Sequence, residues 1–251
     1  MILLIGNGSW GKIYAQNLSN LNISFQIANR DNWQELVNQQ PAGVIIATPP
    51  QSHIEIASFA LDRNIPVLIE KPLAMNYKEA KELQKYTAPI LVNHIHLFSD
   101  NYQQLKKEVI NKKINSIHTL GYNKSPNQTY SSLLDYGAHD IAMILDLTQQ
   151  YPQIISAKEE RTEFGFLYHI TLLFDKFYSE SIVGNGGEDK KRDLTVIQND
   201  KALIYNGGDN PLENTIKTFQ KLIAGGSDER AGLDLSLKVM MILDTISEKL
   251  K

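Results

Sequence analysis

Four short apolar runs, each stopped by glycine, proline or a polar residue, constrain this chain more than any other feature of its sequence. Residues 2–5 (Ile-Leu-Leu-Ile), 43–47 (Gly-Val-Ile-Ile-Ala), 66–69 (Pro-Val-Leu-Ile) and 90–92 (Ile-Leu-Val) are apolar throughout rather than alternating. A strand with one wet face alternates. A strand of a parallel sheet, covered by helices on both faces, does not. A further strand is expected over 24–28. Between the runs lie segments of helical character: 10–18, with Ile13, Tyr14 and Leu18 apolar, then 33–38, 54–62 and 77–86. The last opens with Asn76 as N-cap and Glu79 three residues on, a capping-box pattern. This alternation, spanning residues 1–114, predicts a doubly wound parallel α/β domain.

From residue 115 to 251 the pattern changes. Strand candidates at 116–122, 154–161, 166–174, 179–183, 194–198 and 202–205 follow one another with a single helix, 139–147, among them. Such a run predicts a second, α+β domain with a mostly antiparallel open sheet. Asn185-Gly186-Gly187 and Asn206-Gly207-Gly208 mark turns. Helices at 212–224 and 233–249 close the chain, the first ended by Gly225-Gly226.

Composition narrows the function. Hydrophobic residues make up 42% and charged residues 21%, the balance of a chain with a packed core. The net charge of −3 argues against clamping a nucleic-acid backbone, which calls for a basic surface. There is no cysteine, which excludes a disulfide, a zinc–thiolate site and a cysteine nucleophile. No stretch approaches the roughly 20 apolar residues of a membrane span. The first apolar run is too short for a signal peptide and lacks a basic flank. A cytoplasmic protein without nucleic-acid or membrane partners is expected.

Gly6-Asn7-Gly8-Ser9-Trp10-Gly11 is a G-x-G-x-x-G string between the first strand and the first helix, the context that gives it meaning. Gly6 permits the turn, Gly8 admits a pyrophosphate against the backbone, and Gly11 lets helix and strand pack closely. The helix N-terminus then offers N–H groups and a positive dipole end. Domain 1–114 is therefore expected to bind a dinucleotide. Trp10 either packs against the cofactor or anchors the helix. A ribose-binding acid is expected at the end of the second strand, where Asn29, Arg30 and Asp31 stand. Asn29 in the acidic position with Arg30 beside it leans toward NADP over NAD. Asp31 could still reach a ribose.

Ile69-Glu70-Lys71-Pro72-Leu73 lies at the carboxyl end of the fourth strand, the edge where open α/β sheets bind ligands. With the glycine loop, this run resembles the glucose–fructose oxidoreductase/inositol dehydrogenase (Gfo/Idh/MocA) family. The resemblance extends to Ala47-Thr48-Pro49-Pro50-Gln51-Ser52-His53 and to Asn93-His94-Ile95-His96-Leu97-Phe98, which looks like the lead-in to that family's domain-crossing helix. It extends further to Leu134-Asp135-Tyr136-Gly137-Ala138-His139-Asp140-Ile141, and to Asn210-Pro211-Leu212, which looks like the C-terminal return to the first domain. The resemblance implies a cofactor site that includes Thr48, Pro49, His53, Glu70 and Lys71 beside the glycine loop and Asn29–Arg30. It implies a sugar-like substrate over the second sheet, with Lys71 holding the reacting hydroxyl and His139, aided by Asp135, completing the acid–base set. It also implies a homo-oligomer, dimer or tetramer, and no metal. The chain is shorter than the family's usual members, and Leu97-Phe98-Ser99-Asp100 stands where an arginine and then a proline are common. That variation resembles a subgroup associated with modified or nucleotide-linked sugars.

The chemistry suits the assignment. Oxidising an alcohol requires a hydride acceptor and removal of the hydroxyl proton. A neutral imidazole takes that proton near neutral pH, and an ammonium stabilises the developing alkoxide. Asp135 and His139, four apart, would share the face of a helix. His53 either lines the nicotinamide side or caps a helix. His94 and His96 are pocket-lining at most, and His118 and His169 are structural. Two other readings remain: reduction of an imine or a tetrapyrrole bridge on the same fold, and a non-catalytic dinucleotide-binding sensor or scaffold.

Overall fold

The computed structural model describes residues 1–125, 130–228, 230 and 232–251. They form two compact units: Met1–Ile95 with Asn210–Leu237, and His96–Asp209 with Lys238–Lys251. No helix among the described residues is long and apolar enough to cross a membrane.

The first unit runs β1 (Ile2–Ile5), α1 (Ser9–Asn20), β2 (Phe25–Ala28), α2 (Trp33–Asn38), β3 (Gly43–Ile46), α3 (His53–Leu61), β4 (Val67–Glu70), α4 (Tyr77–Lys81) and β5 (Ile90–Asn93). The strands form one sheet, ordered β2-β1-β3-β4-β5, and every pair is parallel. The chain moves outward from β1 to β2, then returns past β1 to β3 and on to β5. With right-handed crossovers, the reversal puts the helices on both faces. The doubly wound Rossmann sheet expected from the apolar runs is the observed one. β1, β3 and β4 are buried at every position, whereas β2 at the edge leaves Ile27 exposed. The cap of α4 also forms: Asn76 Oδ1 accepts from the Glu79 N–H at 2.9 Å, and Glu79 Oε2 accepts from the Met75 N–H. The expected 77–86 helix is α-helical only to Lys81 and continues as a 3₁₀ turn, Glu82–Lys85.

The second unit contains α5 (Asp100–Val109), β6 (Ser116–Lys124), a π-helical turn (Leu133–Gly137) leading into α6 (Ala138–Thr148), β7 (Ile154–Arg161), β8 (Phe166–Leu173), β9 (Tyr178–Gly184), β10 (Gly186–Gln198) and β11 (Lys201–Tyr205). Its open sheet is ordered β11-β10-β6-β9-β8-β7. All its pairs are antiparallel except β6 with β9, so the expectation of a mostly antiparallel sheet holds. Three local expectations need correction. Helix α5 was not legible as a periodic segment, because only Tyr102, Leu105 and Val109 are buried on a strongly polar helix. Strand β10 starts eight residues before the expected 194, at Gly186. Gly186 and Gly187 therefore belong to a strand rather than a turn. Gly187 backs directly onto the Tyr122 ring, which leaves no room for a side chain.

Two helices complete the chain, α7 (Pro211–Ile223) and α8 (Leu233–Lys249). α7 lies on β3 at Gly43, where a Cβ would come within 2.6 Å of Ile223 and 2.9 Å of Phe219. It ends in a Schellman motif. Gly225, at φ +84°, donates to the Leu222 carbonyl, and Gly226 donates to that of Lys221.

In the second unit every residue of α6 is buried, including Asp140, which is ion-paired with Arg192 of β10. Gly121 makes room for this pair, since a Cβ there would strike both side chains. Burial pushes the Asp140 carboxyl pKa up, against the pull of Arg192. Such a pair adds little net stability, yet breaking it strands a buried charge, at about 3–5 kcal/mol. Asp140→Ala should therefore lower the unfolding free energy by about that amount in urea titrations. Lys217→Ala, which removes the exposed pair with Glu213, should cost under about 1 kcal/mol.

Candidate active site

The glycine loop is built as its sequence requires. Gly6 has φ +114°, and a Cβ there would lie 2.5 Å from the Ala47 carbonyl oxygen. The ends of β1 and β3 therefore approach each other backbone to backbone, at the point where the strand order reverses. Gly11 packs on the Gly6 carbonyl with no space for a side chain. Gly8 differs: nothing lies within 4 Å of where its Cβ would stand. Gly8 is the N-cap of α1, with no side-chain cap and no acidic residue in the first turn. A helix N-terminus open to solvent and uncapped is a ready anion site. These residues fit a dinucleotide pyrophosphate. Asn7 and Ser9 are exposed, and so is Trp10, at 37%.

Beyond β2, Asn29 is occupied with its own loop. Its Oδ1 accepts from the N–H groups of Asp31 (2.8 Å) and Asn32 (3.2 Å), and its N–H donates to Asn32 Oδ1 at 2.9 Å. Arg30 and Asp31 are exposed.

His53 lies inside the first unit with no exposed surface. Its Nδ1 is 2.9 Å from the Pro72 carbonyl and its Nε2 is 2.9 Å from that of Thr48. A neutral ring donates to only one of them, and burial pushes the imidazole pKa down. The residue thus ties the turn of Thr48 and Pro49 to the cis Lys71–Pro72 turn. Ser52 donates to Thr48 Oγ1 at 2.8 Å, further fixing the first of these turns.

Glu70 ends β4 at 4% exposure. Its Oε1 accepts from Tyr14 O–H at 2.7 Å and from Asn93 Nδ2–H at 2.6 Å, and its Oε2 accepts from the Lys71 N–H at 3.2 Å. Asn93 also donates to the Tyr14 oxygen, and Thr215 donates to Asn93 Oδ1 at 3.1 Å. Burial pushes the Glu70 pKa up; the bonds from Asn93 and Tyr14 and the charge of Lys71 pull it down. Lys71 follows, half-buried. His94 lies close enough for the Lys71 charge to act on it. Burial, reinforced by that charge, holds its pKa at about 3. His94 Nε2 lies 3.0 Å from Ser236 Oγ, and Nδ1 has no hydrogen-bond partner among the described residues.

The remaining candidates stand in the second unit. Asp135, half-buried in the π turn, accepts from Tyr130 O–H at 3.2 Å. His139 occupies the first turn of α6, 8% exposed. Asp135 is part of the π turn and His139 of the α-helix that follows, so plain α-helical spacing does not describe them. His96 packs edge-on against His139, with ring centroids 4.9 Å apart. Sequence reasoning set His96 aside and did not single out Tyr14, Asn93, Thr215 or Tyr205. The one signal available was chemical: Tyr14 sits on the apolar face of a helix, and a buried phenol needs a partner for its O–H.

A parallel sheet with reversed strand order and an open, uncapped helix N-terminus at a glycine loop are the features of a dinucleotide-binding Rossmann domain. Residues 7–89 match the Gfo/Idh/MocA model, an oxidoreductase family with an NAD-binding Rossmann fold. The matched residues lie within the Rossmann unit. Rhizopine catabolism protein MocA of Rhizobium meliloti is 22% identical over 136 residues, 49% of this chain and 43% of that protein. The match thus spans less than half of the relative. Among solved structures, UDP-N-acetylglucosamine 3-dehydrogenase from Acidithiobacillus ferrooxidans superposes with a TM-score of 0.84 at 16% identity, over 99% of this chain and 97% of that one. Biliverdin reductase from Synechocystis, in complex with biliverdin and NADP+, superposes with a TM-score of 0.78 at 18% identity, over 99% and 98%. At such identities the likeness is one of fold.

The His94 environment gives a pH prediction. In the unfolded chain His94 takes a proton as pH falls through about 6.5; in the folded chain it does so only at about 3. Its contribution to stability is complete above the higher value and is lost as pH falls toward the lower. His94→Asn should therefore flatten the acid-side loss of stability, seen as the wild-type-minus-variant difference in urea midpoint shrinking between those two pH values. A difference independent of pH would contradict the assignment.

Proposed function

We propose that this chain is an NAD(P)-dependent dehydrogenase acting on a hydroxyl- or keto-bearing carbon of a sugar, polyol or nucleotide-sugar derivative. The observation that carries the reading is the pairing, within one unit, of an uncapped glycine cradle with Lys71 behind a buried Glu70. Nicotinamide, when bound, supplies or accepts the hydride. The Lys71 ammonium holds the reacting oxygen and stabilises negative charge as it develops. His139 exchanges the hydroxyl proton, and Asp135 orients its ring or binds a neighbouring hydroxyl. That Lys71 and His139 serve one reaction is what the family resemblance implies. The sugar-like substrate class is supported by the naming of the relatives as a rhizopine catabolism protein and a UDP-N-acetylglucosamine dehydrogenase.

NADP is favoured over NAD. Asn29 spends its oxygen on its own loop, and the Arg30 guanidinium beside it suits a 2′-phosphate. The protein works as a cytoplasmic homo-oligomer, a dimer or tetramer, through the open face of the second sheet. A tetrapyrrole or imine reductase on this fold would differ in one respect: it would tolerate loss of His139.

The test is titration of the purified protein with NADH and NADPH, followed by fluorescence, then a screen of sugars and nucleotide sugars. Saturable binding is expected, tighter for NADPH. Arg30→Ala should weaken NADPH about tenfold more than NADH, since one charge-assisted contact is worth about 1.5 kcal/mol. His139→Asn should lower kcat by about 10²–10⁴ while leaving cofactor affinity intact. Failure of the folded protein to bind either cofactor would sink the dehydrogenase reading and leave a scaffold.

A further inference from the structure

We propose that His96 is a positioning residue for His139: the two imidazoles form a coupled pair, clamped by Tyr205, that titrates as a unit. The inference deepens the dehydrogenase reading, in which His139 carries the proton, and rests on it for its catalytic meaning.

The geometry is local to the second unit. His96 sits in a 3₁₀ turn, Ile95–Phe98, just ahead of α5. Its ring meets that of His139 edge-on, at 4.9 Å and 76°. On its other side, His96 Nδ1 lies 2.9 Å from Tyr205 Oη. Whichever partner donates, that bond fixes the plane of the ring. Tyr205 is itself held, edge-on to Tyr102 at 5.6 Å. Tyr102 donates its O–H to Asp146 Oδ2 at 2.8 Å, and Lys106 closes the chain on Asp146 Oδ1 at 2.6 Å. A row of rings thus runs from a largely buried ion pair to the proposed proton carrier.

The turn that carries His96 is also fixed. Ser99 caps α5 by accepting from the Tyr102 N–H, and it donates to Asp209 Oδ1 at 2.8 Å, while Asp209 Oδ2 accepts from the Asp100 N–H.

The charged and titratable groups around the pair come from several elements. α6 supplies Asp146, and α5 supplies Lys106 and Tyr102. β11 supplies Tyr205, and the loop after it Asp209. β10 supplies Arg192, itself paired with Asp140. Asp209 and Arg192 act on Tyr205 in opposite senses, and Lys106 neutralises Asp146. The π turn supplies Asp135, proposed above to orient His139. Two imidazolium charges on rings whose centroids lie 4.9 Å apart repel, so the first proton taken by the pair opposes the second. Interacting imidazoles of this kind titrate in two steps that belong to the pair, separated by roughly one pH unit or more. His96 thereby sets both the direction in which His139 points and the pH at which it becomes a base.

The first readout needs neither substrate nor cofactor. Ring-proton NMR shifts of the six histidines are followed against pH, with His139 assigned through His139→Asn. In the wild type, His139 is expected to show a two-step curve. His96→Gln should collapse it to a single step with a displaced midpoint, and should move the pH profile of turnover by the same amount. Tyr205→Phe keeps both rings but removes the clamp; the two steps should persist with altered midpoints, which also provides the test if the first variant fails to fold. A His139 curve that is single-step and unchanged by His96→Gln would overturn the proposal. So would Tyr205→Phe leaving both rings' midpoints in place. Coupled titration in a protein that binds no nicotinamide would retain the pair and discard the dehydrogenase, so the two failures are distinguishable.

Discussion

The Glu70 carboxylate, removed from water at the end of β4, is the constraint on which the first unit's functional edge depends. A buried carboxylate is tolerable only if its lone pairs are met. Here they are met by α1 through Tyr14, by β5 through Asn93 and by the backbone of Lys71. α7 joins through Thr215, which fixes the amide orientation of Asn93. The helix that presents the glycine loop, two strands and a late helix are therefore tied at one point. Removing any one donor would leave the others arranged around an under-satisfied charge, which costs more than the bond itself contributes. The arrangement fixes the backbone of Lys71, which the role proposed for its ammonium requires.

Two buried groups next to this lysine respond to pH in opposite senses. Burial raises the Glu70 pKa, so its protonated form suits the fold. Its contribution is complete below the unfolded value near 4.5 and declines as pH rises through the folded value. His94 behaves the other way, gaining as pH rises from about 3. Near neutrality His94 is uncharged, so repulsion between an imidazolium and the charge of Lys71 is avoided. His94 is a polar neighbour held neutral chiefly by burial and further by the charge of Lys71.

The parts legible in the sequence were those where one physical demand dominates a stretch of residues. Two-sided burial wrote β1, β3, β4 and β5 as plain apolar runs. The turn geometry of Gly6 and Gly11 and the open space at Gly8 wrote the glycine string. The cap of α4 was readable from Asn76 and Glu79 because both ends of a local hydrogen bond lie three residues apart. Where the demand is long-range, the sequence was mute. α5 needs only Tyr102, Leu105 and Val109 against the rest of its unit, too thin a stripe for a periodicity argument. The first half of β10 reads as charged and glycine-rich because Glu188, Asp189 and Lys190 are exposed and Gly187 backs onto Tyr122. Nothing near Tyr14 says that its hydroxyl will meet a residue 56 positions away.

The same distinction explains why His139 was singled out and His96 was not. His139 stands in a recognisable stretch with Asp135, so its chemistry can be argued from neighbours in sequence. His96 acquires meaning only through Tyr205, 109 residues on, and through the ring of His139. An alternating His-x-His string suggests metal, yet the fold uses its members separately: His94 packs with Ser236 in one unit, while His96 packs with His139 in the other. The boundary between the units falls after Ile95, so two residues that look like one motif are divided between two bodies. A histidine's role follows from the polar groups that meet its two nitrogens and the charges within reach of its ring. In this chain those are set by topology, and spacing along the sequence is a poor guide to them.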